Sequence, residues 1–247
     1  MTSLEPMDML VLCGGKGTRL GSKTALTPKP LLPLGGSPFL LRLLLQWKEE
    51  GVTRFILATH HLADQFHAFA QTHASQIGNI EVVVEKVPLG TGGGICNALD
   101  AIHTGNFLVA NGDSYVSQPL QILRIAHLRE KAPFTLVAVP ARNVLGGARQ
   151  KGRLLISRDG VMEGFTTEEK AAEGWINAGV YALHRDTVAD WPSGFFDLEL
   201  TILTEPQRHG IRILRSEGNL MDIGLPDCYE RFDREIGPLT SLFSRLP

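Results

Sequence analysis

The sequence predicts an α/β protein: a mostly parallel sheet flanked by helices, with a smaller β-rich extension. Three observations carry this reading. Short apolar runs rich in branched and aromatic residues alternate with stretches of helical periodicity through residues 7–140. A glycine-rich loop follows the first of those runs directly. Beyond Pro140 the alternation gives way to shorter strand-like pieces separated by turn residues.

The first strand is expected over residues 7–13. A helix over 38–50 follows, because Phe39, Leu40, Leu43, Leu44 and Trp47 form one apolar stripe and Gly51 stops it. Strands at 55–59, 80–84, 107–110 and 134–139 are bounded by turn signals, and helices at 62–73, 91–103 and 118–130 lie between them. Such crossovers imply parallel pairing. The later pieces at 152–157, 161–166 and 175–183 read as β-structure, followed by helices at 196–208 and 226–234, the last opening on Pro226. No repeat or linker interrupts the chain, so residues 1–247 are expected as one unit, with one part over about 7–140 and a second over about 141–235.

A formal net charge of −2 excludes a nucleic-acid coat and a polybasic membrane surface. Any affinity for phosphate must come from a local cluster. Cys13, Cys96 and Cys228 are few and widely spaced, which suits a reducing compartment and offers no metal-ligand spacing. His60, His61 and His67 lack the spacing of a helical zinc site and read as surface or turn residues. The chain opens on no basic segment followed by an apolar core, and no apolar run is long enough to span a bilayer, so a soluble cytoplasmic protein is expected.

The loop Gly14-Gly15-Lys16-Gly17-Thr18-Arg19-Leu20 is the most informative stretch. Glycines let backbone amides approach an anion closely, so the loop is a candidate phosphate cradle, although a plain tight turn has the same composition. It is not a dinucleotide fingerprint, since Leu20 replaces the third glycine and no ribose-reading acid ends the next strand. Nor is it a P-loop, since Lys16 is followed by Gly17. Two cations follow, Arg19 and Lys29, the second inside Pro28-Lys29-Pro30-Leu31-Leu32-Pro33.

Taken together, these two segments resemble the signature of the sugar-1-phosphate nucleotidyltransferases, the NDP-sugar pyrophosphorylases. Pro88-Leu89-Gly90-Thr91-Gly92-Gly93, Asn111-Gly112-Asp113, Glu169-Lys170, Ile176-Asn177-Ala178-Gly179 and Met221-Asp222-Ile223-Gly224 resemble the family's later motifs, in its order. The resemblance covers the chain to about residue 232 and implies a Rossmann-like sheet with a sugar-binding extension. It further implies transfer of a nucleotidyl group from a nucleoside triphosphate to a sugar 1-phosphate, with release of pyrophosphate. Such chemistry depends on alignment and on stabilising phosphate charge, and the attacking phosphate is already ionised, so no general base is required.

By this resemblance Arg19 and Lys29 are the catalytic cations, the first on the β and γ phosphates and the second near the α phosphate. A lone Arg or Lys is otherwise a solvated surface charge. Leu12, Gly14, Gly15, Gly17, Thr18, Pro88, Gly90, Thr91, Gly92 and Asn111 would hold the nucleotide, with Thr91 the side chain nearest the base. The 88–94 stretch also fits a bare helix-entry loop. Asp113 and Asp222 would hold Mg²⁺; by composition alone, Asn111-Gly112-Asp113 is a turn. Gly112, Glu169, Lys170, Asn177 and Gly179 would meet the sugar phosphate, although Glu169 and Lys170 sit in a stretch that equally reads as a charged solvated loop.

One departure from the family pattern stands at Gly21-Ser22-Lys23-Thr24, where many members carry Pro-Leu-Thr, yet the ten-residue step from Arg19 to Lys29 is kept. Within the family the combination of Pro-Leu-Gly-Thr-Gly-Gly, the short length and the Asp-Ile-Gly-x-Pro-x-x-Tyr ending most resembles the D-glycero-α-D-manno-heptose 1-phosphate guanylyltransferases, so GTP is the favoured triphosphate. N-acetylmuramate 1-phosphate uridylyltransferase and mannose 1-phosphate guanylyltransferase are the competing subtypes. A non-catalytic nucleotide-sugar binder would have lost Arg19, Lys29 or one of the aspartates, and all four are present. The apolar helix stripes suit a core and a homo-oligomer contact equally.

Overall fold

A computed structural model describes residues 5–145, 152–166, 174–224 and 226–235. Nine strands make the main sheet: β1 (Met9–Leu12), β2 (Arg54–Thr59), β3 (Asn79–Val84), β4 (Asn106–Asn111), β5 (Phe134–Pro140), β6 (Arg153–Ile156), β7 (Met162–Thr166), β8 (Trp175–His184) and β9 (Ile211–Arg215). Across the sheet the order is β3-β2-β1-β4-β8-β5-β9, with the β6–β7 hairpin joined to the start of β8 where Leu154 faces Trp175. Along that order β8 runs against its neighbours, and the other strands are parallel to one another. The expected mostly parallel sheet is therefore present.

Residues of β1 alternate between two cores. Met9 and Val11 join Phe39, Leu43, Phe66, Leu123 and Phe232 on one face. Leu10 joins Ile95, Ala98, Val188 and Phe196 on the other. Burial on both faces explains why the central strands read as continuous apolar runs. Helices α1 (Phe39–Glu49), α2 (Ala63–Ile77) and α4 (Leu120–Glu130) cover the first face, together with the C-terminal helix of residues 226–235. Helix α3 (Gly90–Asn97) and the short α5 (Arg185–Ala189) cover the second.

Two expectations are corrected. The helix expected over 196–208 is two short ones, α6 (Leu198–Thr201) and α7 (Pro206–His209). Pro206 offers no N–H and pushes Glu205 out of helical geometry, to φ −120° and ψ 53°. The helix expected over 91–103 ends at Asn97 and continues only as a 3₁₀ turn, Leu99–Ala101, since its glycine-rich start has little intrinsic propensity. The last helix, α8 (Pro226–Glu235), opens on Pro226 as expected.

A second, three-stranded sheet has Leu220–Asp222 at its centre, antiparallel to Ser114–Val116 and parallel to Val144–Leu145. It stands at the carboxyl end of β4. From β1 the chain winds out through β2 and β3, then returns to β4 on β1's other side. The loops after β1 and β4 thus open at a topological switch point, where sheets of this kind leave a crevice.

His127 ties α4 to the sheet. Its Nδ1 lies 2.9 Å from Thr135 Oγ1 and its Nε2 lies 3.0 Å from Asn106 Oδ1. A neutral ring satisfies both, donating to the amide oxygen and accepting from the hydroxyl. Burial, assisted by His184, lowers its pKa to about 4 from 6.5. The folded state therefore binds this proton less readily than the unfolded chain, and the resulting stability is lost as pH falls from 6.5 through 4. Urea unfolding between pH 7 and 4 is expected to show a steeper loss for the wild type than for His127→Gln; equal slopes would contradict this role.

Candidate active site

The glycine loop leaves β1 at Cys13, whose N–H donates to Ala58 O at 2.7 Å. Gly17 adopts φ +64°, and a Cβ there would stand 2.9 Å from Thr24 Cγ2. Thr24 is buried and its hydroxyl donates to Gly17 O at 3.1 Å and Gly21 O at 3.2 Å. The stretch that departs from the family pattern therefore closes the loop back on itself through Thr24. Thr18 and Arg19 begin the 3₁₀ segment Thr18–Thr24 and remain exposed.

Lys29 stands in the single turn Lys29–Leu31, with prolines on either side that fix the local backbone. Its side chain is buried, and its Nζ lies 2.5 Å from Asp113 Oδ2 and 3.7 Å from Asp222 Oδ1. Asp113 follows β4. Asp222 ends the central strand of the small sheet and faces Ser114 in its register. Ile223 N–H donates to Asp113 O at 3.1 Å, and Gly224 N–H to Asp222 Oδ1 at 2.7 Å. At Gly112 a Cβ would lie 2.8 Å from Cys13 Sγ, so this glycine lets the loops after β1 and β4 meet. The Cys13 thiol is pushed well up by burial and by the Asp113 charge, which keeps it an inert thiol.

Two clefts meet over these loops, sharing Leu12, Gly15 and Asp113. The smaller, about 210 Å³, is lined by Gly17, Thr18, Arg19, Lys29 and Gly224 among others. The larger, about 510 Å³, is lined by Gly14, Lys16, Glu85, Pro88, Gly90, Thr91 and Asn111 among others. Gly92 is buried in α3 under Phe196, whose carbonyl accepts from the N–H groups of Gly92 and Gly93. The Thr91 hydroxyl accepts from Leu198 N–H at 2.9 Å. Asn177 lies on β8; its amide donates to Tyr181 OH at 2.8 Å and to Glu199 Oε1 at 3.3 Å, and its oxygen accepts from Gly179 N–H at 2.9 Å. Gly179 packs against the Asn111 side chain. Glu169 and Lys170 lie outside the described residues.

Glu85 escaped the sequence reading. It follows β3 at the same edge of the sheet that presents Asp113, and that position was the available signal. Its carboxylate is buried and accepts from Leu89 N–H at 3.1 Å. Burial pushes its pKa up, partly offset by that bond and by His60. Asp197 and Glu199 were missed as well, because they fall in the expected helix 196–208, and Phe195, just before it, carries no motif of its own.

Residues 9–163 match the family model described as the MobA-like NTP transferase domain. The chain belongs to that family. It is 34% identical over 189 residues to the mannose-1-phosphate guanylyltransferase of Mycobacterium tuberculosis, covering 76% of this chain and 52% of that relative. It is 28% identical over 233 residues to the D-glycero-alpha-D-manno-heptose 1-phosphate guanylyltransferase of Aneurinibacillus thermoaerophilus, covering 93% of this chain and 98% of the relative. The crystal structure of HddC from Yersinia pseudotuberculosis complexed with GMP-PN matches with a TM-score of 0.81 at 29% identity, over 93% of this chain and 99% of that one. This MobA-like chain thus spans about half of the mycobacterial relative and nearly all of the other two. The nucleotidyltransferase resemblance read from the motifs is borne out.

Among the described residues no group of three or more His, Cys, Asp or Glu converges on a metal position. The donor set is instead two carboxylates facing a shared cation, the ammonium of Lys29. That set fits a divalent ion whose remaining ligands are phosphate oxygens and water. The arrangement can therefore concentrate positive charge on a polyphosphate without a protein base.

Gly179 has φ +71°, and a Cβ on it would collide with the Asn111 amide. Gly179→Ala is expected to cost about 1–3 kcal/mol in urea unfolding. An unchanged unfolding midpoint would contradict this packing.

Proposed function

We propose that the chain transfers a guanylyl group from GTP to a sugar 1-phosphate, D-glycero-α-D-manno-heptose 1-phosphate in the first instance, with Mg²⁺ as its metal. The observation that carries this reading is the meeting of Lys29 with Asp113 and Asp222, at a smaller cleft that Arg19, Lys29 and Asp113 line and that adjoins a larger cleft able to take base and sugar. The near-full coverage by the heptose 1-phosphate relative supports the choice of sugar. A mannose 1-phosphate substrate is the second reading, supported by the higher identity to the mycobacterial relative.

In this reaction an oxygen of the sugar phosphate attacks the α phosphorus, and the bond to the α,β-bridging oxygen breaks. Pyrophosphate leaves. The exposed Arg19 offers a planar fork to the β and γ phosphates and so to the leaving group. Lys29, once a phosphate competes for it, places its charge near the α phosphate from a buried and proline-fixed position. Asp113 and Asp222 would hold Mg²⁺, which would supply further neutralisation of phosphate oxygens. Amides of Gly14, Gly15 and Gly17 approach the phosphates, while Leu12, Pro88, Gly90 and Thr91 wall the base.

Glu85 supports guanine. A carboxylate only accepts, and the guanine edge offers neighbouring N1–H and N2–H donors, whereas uracil offers one donor between two acceptors. Asn177 and Gly179 serve the sugar, with Glu169 and Lys170 completing that side. We place the enzyme in the cytoplasm, where its triphosphate is supplied. Cys13, Cys96 and Cys228 are all free thiols, consistent with a reducing compartment.

Pyrophosphate release across GTP, UTP, dTTP and ATP against heptose, mannose, glucose and N-acetylmuramate 1-phosphates is expected to peak at GTP with heptose 1-phosphate and to stop with chelator. Lys29→Ala is expected to lower kcat on the order of 10²–10³-fold with the fold intact by circular dichroism. Turnover unchanged in that variant, or an empty grid for the wild type, would contradict the assignment.

A further inference from the structure

We propose that Phe195 and Asp197 form the platform for the sugar ring, the phenyl face against the sugar's C–H face and the carboxylate on its hydroxyls. This rests on the sugar-1-phosphate reading above and adds two residues that choose among sugars. The segment between α5 and α6 alternates in what it presents. Phe196 is 6% exposed and packs edge-on against Trp191, whereas Phe195 is 68% exposed and lines the larger cleft, as does Asp197.

Backbone bonds hold that alternation in place. Phe196 N–H donates to Leu89 O at 2.9 Å, and its carbonyl accepts from Gly92 at 3.1 Å and Gly93 at 3.3 Å. The Phe196 ring occupies the space that a Cβ on Gly92 would need. Phe195 is therefore carried on a latched backbone, and an exposed aromatic so fixed is preorganised for a ligand.

Asp197 supplies the second observation. It occupies the N-cap of α6, a position where aspartate usually bonds its own helix, yet its side chain makes no capping bond. The Thr91 hydroxyl takes Leu198 N–H instead. The carboxylate is left beside Gly90, 3.1 Å from where a Cβ of that glycine would be. Two residues on, Glu199 receives the Asn177 amide and so links this segment to β8. An aromatic face beside an acceptor that no described residue engages matches a pyranose, whose C–H bonds meet the negative ring face and whose hydroxyls need acceptors. Glu85, which lines the same cleft, is the acceptor assigned above to the base edge.

The test compares wild type, Phe195→Ala, Phe195→Trp and Asp197→Asn by steady-state kinetics and by calorimetric titration with GTP and with mannose and heptose 1-phosphates. Phe195→Ala and Asp197→Asn are each expected to raise the KM and Kd for sugar phosphate about tenfold and to move those for GTP less than about twofold, with Phe195→Trp near wild type. A loss that falls on GTP, or a sugar Kd unchanged in both variants, overturns the platform. A wild type that binds sugar phosphate without releasing pyrophosphate defeats the assigned reaction alone, and the platform is then decided by the variants' binding. A wild type that binds no sugar phosphate overturns both.

Discussion

The ammonium of Lys29 lies 2.5 Å from one carboxylate and 3.7 Å from another, and the three groups come from parts of the chain that meet only when the fold is complete. Lys29 follows the glycine loop, Asp113 follows β4, and Asp222 ends a strand of the small sheet. A buried lysine without such partners would pay heavily for desolvation, and two facing carboxylates without a cation would repel. The cluster therefore holds because its charges compensate. A divalent ion and an α phosphate would each take over part of that compensation, the metal at the carboxylates and the phosphate at the ammonium.

Much of the surrounding architecture serves to bring these groups together. Gly112 has no side chain where Cys13 approaches, so the loops after β1 and β4 can touch at the switch point. The Leu220–Asp222 strand borrows Ser114–Val116 as its antiparallel partner, which fixes Asp222 opposite the residue after Asp113. The antiparallel β8 then carries Asn177 and Gly179 back towards the same crevice, with Gly179 against Asn111. Helix α3 and strand β8 are bridged through Glu199, which receives both Thr91 and Asn177.

The first half of the fold was legible because apolar strands buried on both faces and helices with one apolar stripe leave strong periodic signals. The second half was less so. Pro206 broke a stretch whose apolar residues suggested one helix, and β9 was not read at all, its five residues mixing Arg212 and Arg215 with apolar neighbours. The two- and three-residue strands of the small sheet are too short for any periodicity, so the meeting of Asp222 with Asp113 was available only through the family resemblance. Glu85 was hidden differently, as a single acid whose meaning depends on which end of the sheet it occupies.

Mn²⁺ binding to wild type and Lys29→Met without nucleotide, followed by electron paramagnetic resonance, tests the central cluster most directly. If Lys29 occupies the cation position between Asp113 and Asp222, removing its charge should tighten Mn²⁺ binding by about tenfold or more, the scale expected for a nearby competing charge at a partly buried site. Unchanged or weaker binding in a folded Lys29→Met protein would contradict the account.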